Sequence, residues 1–378
     1  MTLPSTAAGA STGGAGASAG SRSSAPRYLR PLQALGALVV LVAVCLLLAR
    51  GGFTGQLVTQ MLVFAIAAMG VGFLGGVGGQ VSLAQASMLG LGAYGFAVSE
   101  TKGFGPWAAV GISLLVILLV ALVTGLLAVR VRGIGFVIMT LALGQILFGL
   151  SSSWVAVSGG DNGLIVSATP TLGPLDLSVQ LQLSFTVLVI FLMGAGLLWT
   201  FARSPFGLSL RGIKSNEQRL KTLGYATRLH LYIGYVISVM FGGVAGILFV
   251  FTNGLITPTT LDFGHNGIVT LMAVVGGLGS LWGPALGSVI VLLFQQDISL
   301  YVQRWATFLG VVFVVVVLFA PDGLWGVGQS LGRRLSGRSS GRIAQTAAGL
   351  PRGDLPDSGG ESADDSQLPE PTAERSAP

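Results

Sequence analysis

Few residues of this sequence could do chemistry on a bound substrate. It contains one cysteine, Cys45, and two histidines, His230 and His265, far apart along the chain. One cysteine excludes a disulfide within the chain, and two separated histidines are too few for a typical metal site. No Ser/His/Asp, Cys/His or paired-carboxylate set supports a membrane-embedded enzyme. The sequence also lacks a GxxxxGK[ST] phosphate loop, so if ATP drives the protein, another chain binds it. We therefore expect no catalytic residue, metal ion or cofactor in this chain.

Between residues 32 and 326, the charged side chains are concentrated in residues 203–230, which carry six Lys and Arg and one acid, Glu217. Residues 209–223 have helical spacing, and Gly224 is a natural C-terminal stop. The apolar side holds Leu210, Ile213, Leu220 and Leu223, and the polar side includes Arg211, Lys214, Glu217, Arg219 and Lys221. Such a helix either lies on anionic lipid or docks into a groove of a soluble partner, and the residues alone leave both interpretations open.

Two glycine clusters interrupt apolar runs about 200 residues apart. The first is Gly75, Gly76, Gly78 and Gly79, followed by Gln80, Ser82 and Gln85; the second is Gly276, Gly277, Gly279, Gly283 and Pro284. Broken helices in corresponding positions of two halves point to a transport path, whereas close helix packing through small residues is the alternative. We predict that the path is lined by Gly78, Gly79, Ser82, Gln85, Gly276, Gly277 and Gly279.

The elements that position these residues are membrane helices. Only 9% of the 378 residues are charged, 52% are hydrophobic and 58 are glycine. The uncharged windows span 32–49, 57–74, 83–98, 107–129, 134–157, 183–201, 231–251, 267–295 and 305–320. Each window must satisfy its own backbone hydrogen bonds in lipid, which predicts helices. We therefore expect an all-α, polytopic integral membrane protein with about 8–10 transmembrane helices, two of them broken by glycine.

Polar tails flank this membrane region. Residues 1–31 and 327–378 have the composition of disordered segments, which leaves 32–326 as the transmembrane domain. We expect window 32–49 to be an uncleaved helix and not a signal peptide. With the N-terminus in the cytoplasm, the inside loops (1–31, 75–82, 130–133 and 202–230) carry 11 Lys and Arg. The outside loops (50–56, 99–106, 158–182 and 252–266) then carry 2. This asymmetry predicts cytoplasmic termini, provided that window 267–295 forms a re-entrant hairpin.

Polar side chains within the windows are few, including Gln60, Gln85 and Gln145, and no carboxylate is among them. That composition argues against a proton-coupled carrier, which needs titratable groups within the membrane. The net charge of +6 could suggest nucleic acid, but the basic residues lie between hydrophobic runs, where membrane orientation explains them.

Several motifs, in order along the chain, resemble one family. They are GGQVSLAQASMLGLGAY (78–94), RVRGIGFVIMTLALGQI (130–146), SGGDNGL (158–164), SPFGLSLRGIKSNEQRLKTLG (204–224), VVGGLGSLWGPALG (274–287) and LFAPDGLWG (318–326). The chain resembles the permease subunits of bacterial ABC importers for branched-chain amino acids, of the LivM type.

That resemblance implies an assembly in the bacterial plasma membrane. Its members would be this chain, a LivH-like permease, two cytoplasmic ABC ATPases that bind ATP, and an extracytoplasmic substrate-binding protein. By the same resemblance, residues 203–230 form the coupling region that faces the ATPase, with Asn216, Glu217 and Gly224 at its recognisable positions. We expect Arg211, Lys214 and Glu217 to contact the ATPase. A urea or amide permease of the same family and a stand-alone secondary carrier remain as alternatives.

Overall fold

Ten helices account for most of the part of the chain that the computed structural model describes, which is residues 52–166, 171–172, 175–177, 179–301, 310, 323 and 325. The predicted tails 1–31 and 327–378, window 32–49 with Cys45, and window 305–320 apart from residue 310 lie outside the described residues. The expectations for these segments stay predictions.

The helices follow the apolar windows. They are α1 (Gly52–Gly78), α2 (Gln85–Thr101), α3 (Pro106–Ala128), α4 (Ile134–Ser153), α5 (Val155–Ser158), α6 (Gln180–Arg203), α7 (Pro205–Thr222), α8 (Thr227–Asn253), α9 (Phe263–Gly276) and α10 (Gly283–Tyr301). Short 3-10 helices cover Gly160–Asn162 and Pro258–Leu261. The predicted window 134–157 is divided, because α4 ends at Ser153 and α5 is a separate turn.

Five of these helices are long and apolar enough to cross a membrane: α1, α3, α4, α6 and α8. Helices α1 and α8 form the centre of the bundle, where Phe64 and Phe249 pack edge to face with ring centroids 5.9 Å apart. By contrast, α3 and α4 are only 28% and 22% buried along their apolar windows, although they are rich in Leu, Ile and Val. Such exposed apolar helices need a hydrocarbon environment, which confirms the expected all-α membrane fold.

Both glycine clusters coincide with helix ends, although the first break begins later than expected. Helix α1 continues through Gly75, Gly76 and Gly78, and the chain leaves it at Gly79, whose φ of +71° suits glycine. The first break is therefore residues 79–84. The second is residues 277–282, between α9 and α10, and it starts at Gly277 with a φ of +107°.

The first break is irregular backbone that neighbouring helices partly pair by hydrogen bonds. Leu83 N donates to Thr140 Oγ1 (3.1 Å), and Thr270 Oγ1 donates to the Ser82 carbonyl (3.3 Å). Side chains of α4 and α9 thus satisfy backbone groups that α1 and α2 cannot. Irregular backbone within a membrane protein requires such partners.

The second break joins two helices that fold back on each other. A Cβ on Gly287 would collide with the Met272 carbonyl, and one on Gly276 would collide with the Gly283 carbonyl. This spacing makes α9 and α10 a closely packed antiparallel hairpin, as predicted for window 267–295. The number of membrane crossings stays a prediction.

Two loops that were expected on the same outer side meet in the structure. Strands β1 (Leu164–Ile165) and β4 (Leu255–Ile256) pair antiparallel, with Leu164 opposite Ile256. A second hairpin, β2 (Thr171–Leu172) with β3 (Leu175–Asp176), lies within the same long connection before α6.

The end of segment 252–266, which was expected outside the membrane, packs inside the bundle, and its position relative to the membrane stays a prediction. Asn266 and Ser87 exchange hydrogen bonds there. A Cβ on Gly144 would stand 2.7 Å from Ser87 Oγ and 3.6 Å from Asn266 Nδ2. Gly144 lies midway along the 20-residue helix α4, whose length of about 30 Å matches the hydrocarbon core. Asn266 Nδ2 also donates to the Asp262 carbonyl at 3.0 Å, so Asp262 lies near the mid-length of α4.

Candidate functional site

The basic segment 203–230 contains a surface helix, α7, that is anchored by apolar residues. Ser204 is its N-cap and accepts a hydrogen bond from Gly207 N at 3.4 Å, and Pro205 occupies the first turn. Leu210 and Ile213 are buried against the bundle, while Arg211 is exposed. The predicted amphipathic helix is therefore present, and it starts four residues earlier than its sequence pattern suggested. Leu223, which was expected on its apolar side, follows the helix and is exposed.

Helix α7 bends at Asn216 and stops at Gly224. Asn216 has extended backbone (φ −160°, ψ 97°), and its Oδ1 accepts a hydrogen bond from Arg219 N at 3.0 Å. It thus acts as the N-cap of a second short helical segment. Gly224 has a φ of +84° and donates its N–H to the Lys221 carbonyl, so it ends the helix as predicted.

Glu217 connects three segments on this side of the protein. Its Oε1 lies 3.0 Å from Arg132 Nη2 in the α3–α4 turn and 3.0 Å from Lys221 Nζ. Thr227 Oγ1, at the start of α8, donates to the same oxygen at 3.2 Å. Partial burial alone would raise the pKa of the Glu217 carboxyl, but the hydrogen bond from Lys221 and the charges of Arg132 and Lys221 hold that pKa below its ordinary value. Glu217 is thus held by contacts within this chain.

Lys214 connects α7 to the first break. Its Nζ donates to the Gly76 carbonyl at 2.9 Å. Gly76 lies in the last turn of α1, where carbonyls lack helical partners and a positive charge is favourable. The stem of Lys214 lies against Gly79, because a Cβ at Gly79 would stand only 2.8 Å from Lys214 Cγ. The first break is therefore in direct contact with the surface helix.

The two breaks also touch each other. A Cβ on Gly76 would collide with the Leu278 carbonyl, and one on Gly75 would stand 3.3 Å from the Leu278 side chain. Leu278 belongs to the second break, next to Gly277 and Gly279. Lys214, the end of α1 and the second break thus form one continuous line of contacts.

The polar residues predicted to line a path are buried in this structure. Ser82 and Gln85 are both 0% exposed. Gln85 Nε2 donates to the carbonyls of Ala67 (3.1 Å) and Ser238 (3.0 Å), which ties α2 to α1 and α8. Ser82 and Gln85 therefore line no open path in this structure, and their role stays a prediction.

Two partners of Glu217, Arg132 and Thr227, were not predicted from the sequence. Arg132 was counted only as an orienting charge of the short 130–133 loop. The available signal for an ion pair was one acid among six cations, with two further arginines in a loop expected on the same side of the membrane. Within the described ranges, no three His, Cys, Asp or Glu side chains are grouped as a metal site would require.

A multi-pass helical bundle with two breaks in contact through Gly76, and a basic surface helix against the first of them, is typical of a membrane transport subunit. The sequence model of one family, described as "Branched-chain amino acid transport system / permease component", matches residues 53–320. The match covers more than two thirds of the chain. The chain therefore belongs to this family of permease components, and it is a multi-pass membrane protein.

Individual relatives agree with this membership. The chain is 26% identical over 311 residues to the high-affinity branched-chain amino acid transport system permease protein LivM of Escherichia coli, covering 76% of this chain and 73% of that one. It is 32% identical over 105 residues to the guanosine ABC transporter permease protein NupQ of Bacillus subtilis, covering 26% of this chain and 30% of that one. It is 26% identical over 205 residues to a probable LivH permease of Methanocaldococcus jannaschii, covering 50% and 63%. No solved structure matches the chain.

Proposed function

We propose that this chain is one of two membrane subunits of an ATP-driven importer that moves branched-chain or other small amino acids across a bacterial plasma membrane. Its partners are a LivH-like permease, two cytoplasmic ABC ATPases that bind the ATP, and an extracytoplasmic substrate-binding protein. The family membership and the LivM relatives support this proposal.

The observation that carries the mechanism is the contact line from Lys214 through Gly76 to Leu278. Helix α7 lies on the same side as the basic turn of residues 130–133, to which Glu217 binds. Positive loops favour the cytoplasm, so this side faces the ATPases and both termini are cytoplasmic. A movement imposed on α7 then reaches both breaks without crossing solvent.

In this mechanism, Arg211 contacts the ATPase directly, Asn216 and Gly224 set the shape of α7, and Lys214 and Glu217 transmit its movement to the bundle. The path includes Gly78, Gly79, Ser82, Gln85, Gly276, Gly277 and Gly279, which separate when it opens. ATP binding by the partner shifts the population between the closed and open states, and it can do so only through contacts that differ between them.

The test is uptake by the complete assembly. This chain is co-expressed with a LivH-like permease and the ATPases, reconstituted into proteoliposomes and supplied with substrate-loaded binding protein. We expect ATP-dependent uptake of labelled leucine. Uptake of urea or guanosine in place of leucine would reject the amino-acid proposal while retaining the importer.

A stand-alone secondary carrier is the second candidate, and one observation favours it: Asp262 and His265 form a pair near the mid-length of α4. Carriers place titratable groups at such positions within the membrane. It predicts substrate accumulation driven by an ion gradient without ATP. Uptake that persists with ATPase subunits omitted would select the carrier.

A further inference from the structure

Two helices of the bundle begin side by side near the mid-length of the apolar helix α4. Helix α2 starts at Gln85 and α9 starts at Phe263. Near these starts, Ser87 N donates to Asn266 Oδ1 at 3.1 Å, and Asn266 Nδ2 donates to Ser87 Oγ at 2.7 Å. Because both residues lie against Gly144, halfway along α4, the first turn of α9 is about 15 Å from either end of that helix.

An acid and a histidine occupy this depth. Asp262 is the N-cap of α9, and its Oδ1 accepts hydrogen bonds from His265 N at 2.7 Å and, with the ring nitrogen protonated, from His265 Nδ1 at 3.1 Å. Both contacts use Oδ1, and among the residues that the structure describes none donates to Oδ2. The positive end of α9 favours a negative charge at this position.

The pair is not sealed inside the protein. The side chains of Asp262 and His265 are 39% and 42% exposed. A charged group at this depth is costly in hydrocarbon, so in membrane proteins such a group faces a water-filled path or a partner charge.

The surface around the pair is apolar and open. Phe263 is 60% exposed, Gly264 is also exposed, and a Cβ on Gly267 would meet nothing within 4 Å. A free carboxylate oxygen beside an open apolar strip suits a ligand with a compact positive group and an aliphatic side chain. An amino acid of the branched-chain type has both.

We propose that Asp262 binds the α-ammonium group of the amino acid through Oδ2 during its passage. His265 holds the Asp262 side chain in place through Oδ1. This inference rests on the proposed function and adds a binding residue to the path. The aliphatic side chain of the amino acid then lies along Phe263 and the exposed glycines.

The experiment uses the complete, reconstituted importer with Asp262→Asn and Asp262→Ser. Asn and Ser are both good N-caps, so α9 keeps its start while the charge is removed. The matched control is Asp161→Asn, an exposed acid in the Gly160–Asn162 turn. We expect both Asp262 variants to lower leucine uptake roughly tenfold or more, as for the loss of a hydrogen bond to a charged group. Co-purification with the partner permease, thermal unfolding and stimulated ATPase activity should stay close to wild type, and the control should transport normally.

Two results would overturn the inference alone: undiminished uptake by both Asp262 variants, or loss of the partner permease from the purified complex, which would make Asp262 a subunit contact. A wild-type complex that takes up no amino acid under ATP would instead refute the proposed function, and the inference with it.

Discussion

The contact between Lys214 and α1 leads to a sharp prediction about coupling. Lys214→Met keeps the aliphatic stem against Gly79 but removes the ammonium group that lies 2.9 Å from the Gly76 carbonyl. A cation at an exposed helix C-terminus contributes about 0.3–1 kcal/mol. If this contact exists in only one of the two transport states, its loss shifts their equilibrium by the same energy, which is about two- to fivefold.

The assay is the number of leucine molecules taken up per ATP hydrolysed in proteoliposomes containing the complete complex. We expect Lys214→Met to lower this ratio about two- to fivefold, while Lys214→Arg, which keeps a charged donor, retains most of it. Lys102→Met is the matched control, since Lys102 is an exposed lysine in the turn after α2, far along the chain from the coupling region. An unchanged ratio in Lys214→Met, with the complex intact, would refute the idea that this contact transmits movement.

Three further predictions concern stability. Because the pKa of Glu217 is lowered in the fold, the unfolded chain binds more protons than the folded chain as pH falls through 4.5. The contacts of Glu217 therefore stabilise the fold above that pH, and this stabilisation is lost as pH falls through the lowered pKa. At pH 7 the free energy of unfolding of wild type should exceed that of Glu217→Gln by about 0.3–1 kcal/mol, and thermal unfolding in acid should show the two converging; a constant difference would contradict this. Gly76→Ala should destabilise the fold by about 1–3 kcal/mol because the new Cβ meets the Leu278 carbonyl. Gly111→Ala, whose Cβ would meet nothing within 4 Å, should be neutral or stabilising. Equal effects of the two substitutions would refute the close approach of Gly76 to Leu278. Asn266→Ala should lower the free energy of unfolding by about 1–3 kcal/mol because Ser87 N loses its acceptor, and the exposed Asn253→Ala should lower it less. Equal melting temperatures would contradict the contact between the starts of α2 and α9.

Membrane character and most helix positions could be predicted from the sequence because both depend on long uncharged windows. The helix breaks were also predictable, since glycine clusters weaken helices wherever they occur. The exact start of the first break was not, because Gly75, Gly76 and Gly78 remain helical under close packing by Leu278 and the α8 side of the bundle. Tertiary contacts overrode the local preference.

Helix α7 shows the same division. The spacing of Leu210 and Ile213 and the stop at Gly224 are local signals, and the structure has all three in the expected places. The ion pair of Glu217 with Arg132 joins α7 to a turn 85 residues earlier in the chain. The spacing of residues along the sequence does not indicate such a contact.

The inward course of residues 258–266 was not predicted for a related reason. A charged residue beside Thr, Pro and Gly is typical of a loop, and Leu255 and Ile256 do lie in the connection after α8, where they pair with β1. The chain then turns inward through the 3-10 helix Pro258–Leu261, a descent that is set by the Leu261 and Asn266 contacts with α2.

We propose that this chain moves substrate only when partner ATPases act on α7. The most direct measurement compares labelled leucine accumulation in liposomes that contain the purified chain alone with accumulation in liposomes that contain the complete complex, ATP and binding protein. We expect leucine to accumulate above its external concentration only in liposomes with the complete complex, ATP and binding protein. Accumulation by the chain alone, under an ion gradient and without ATP, would contradict it.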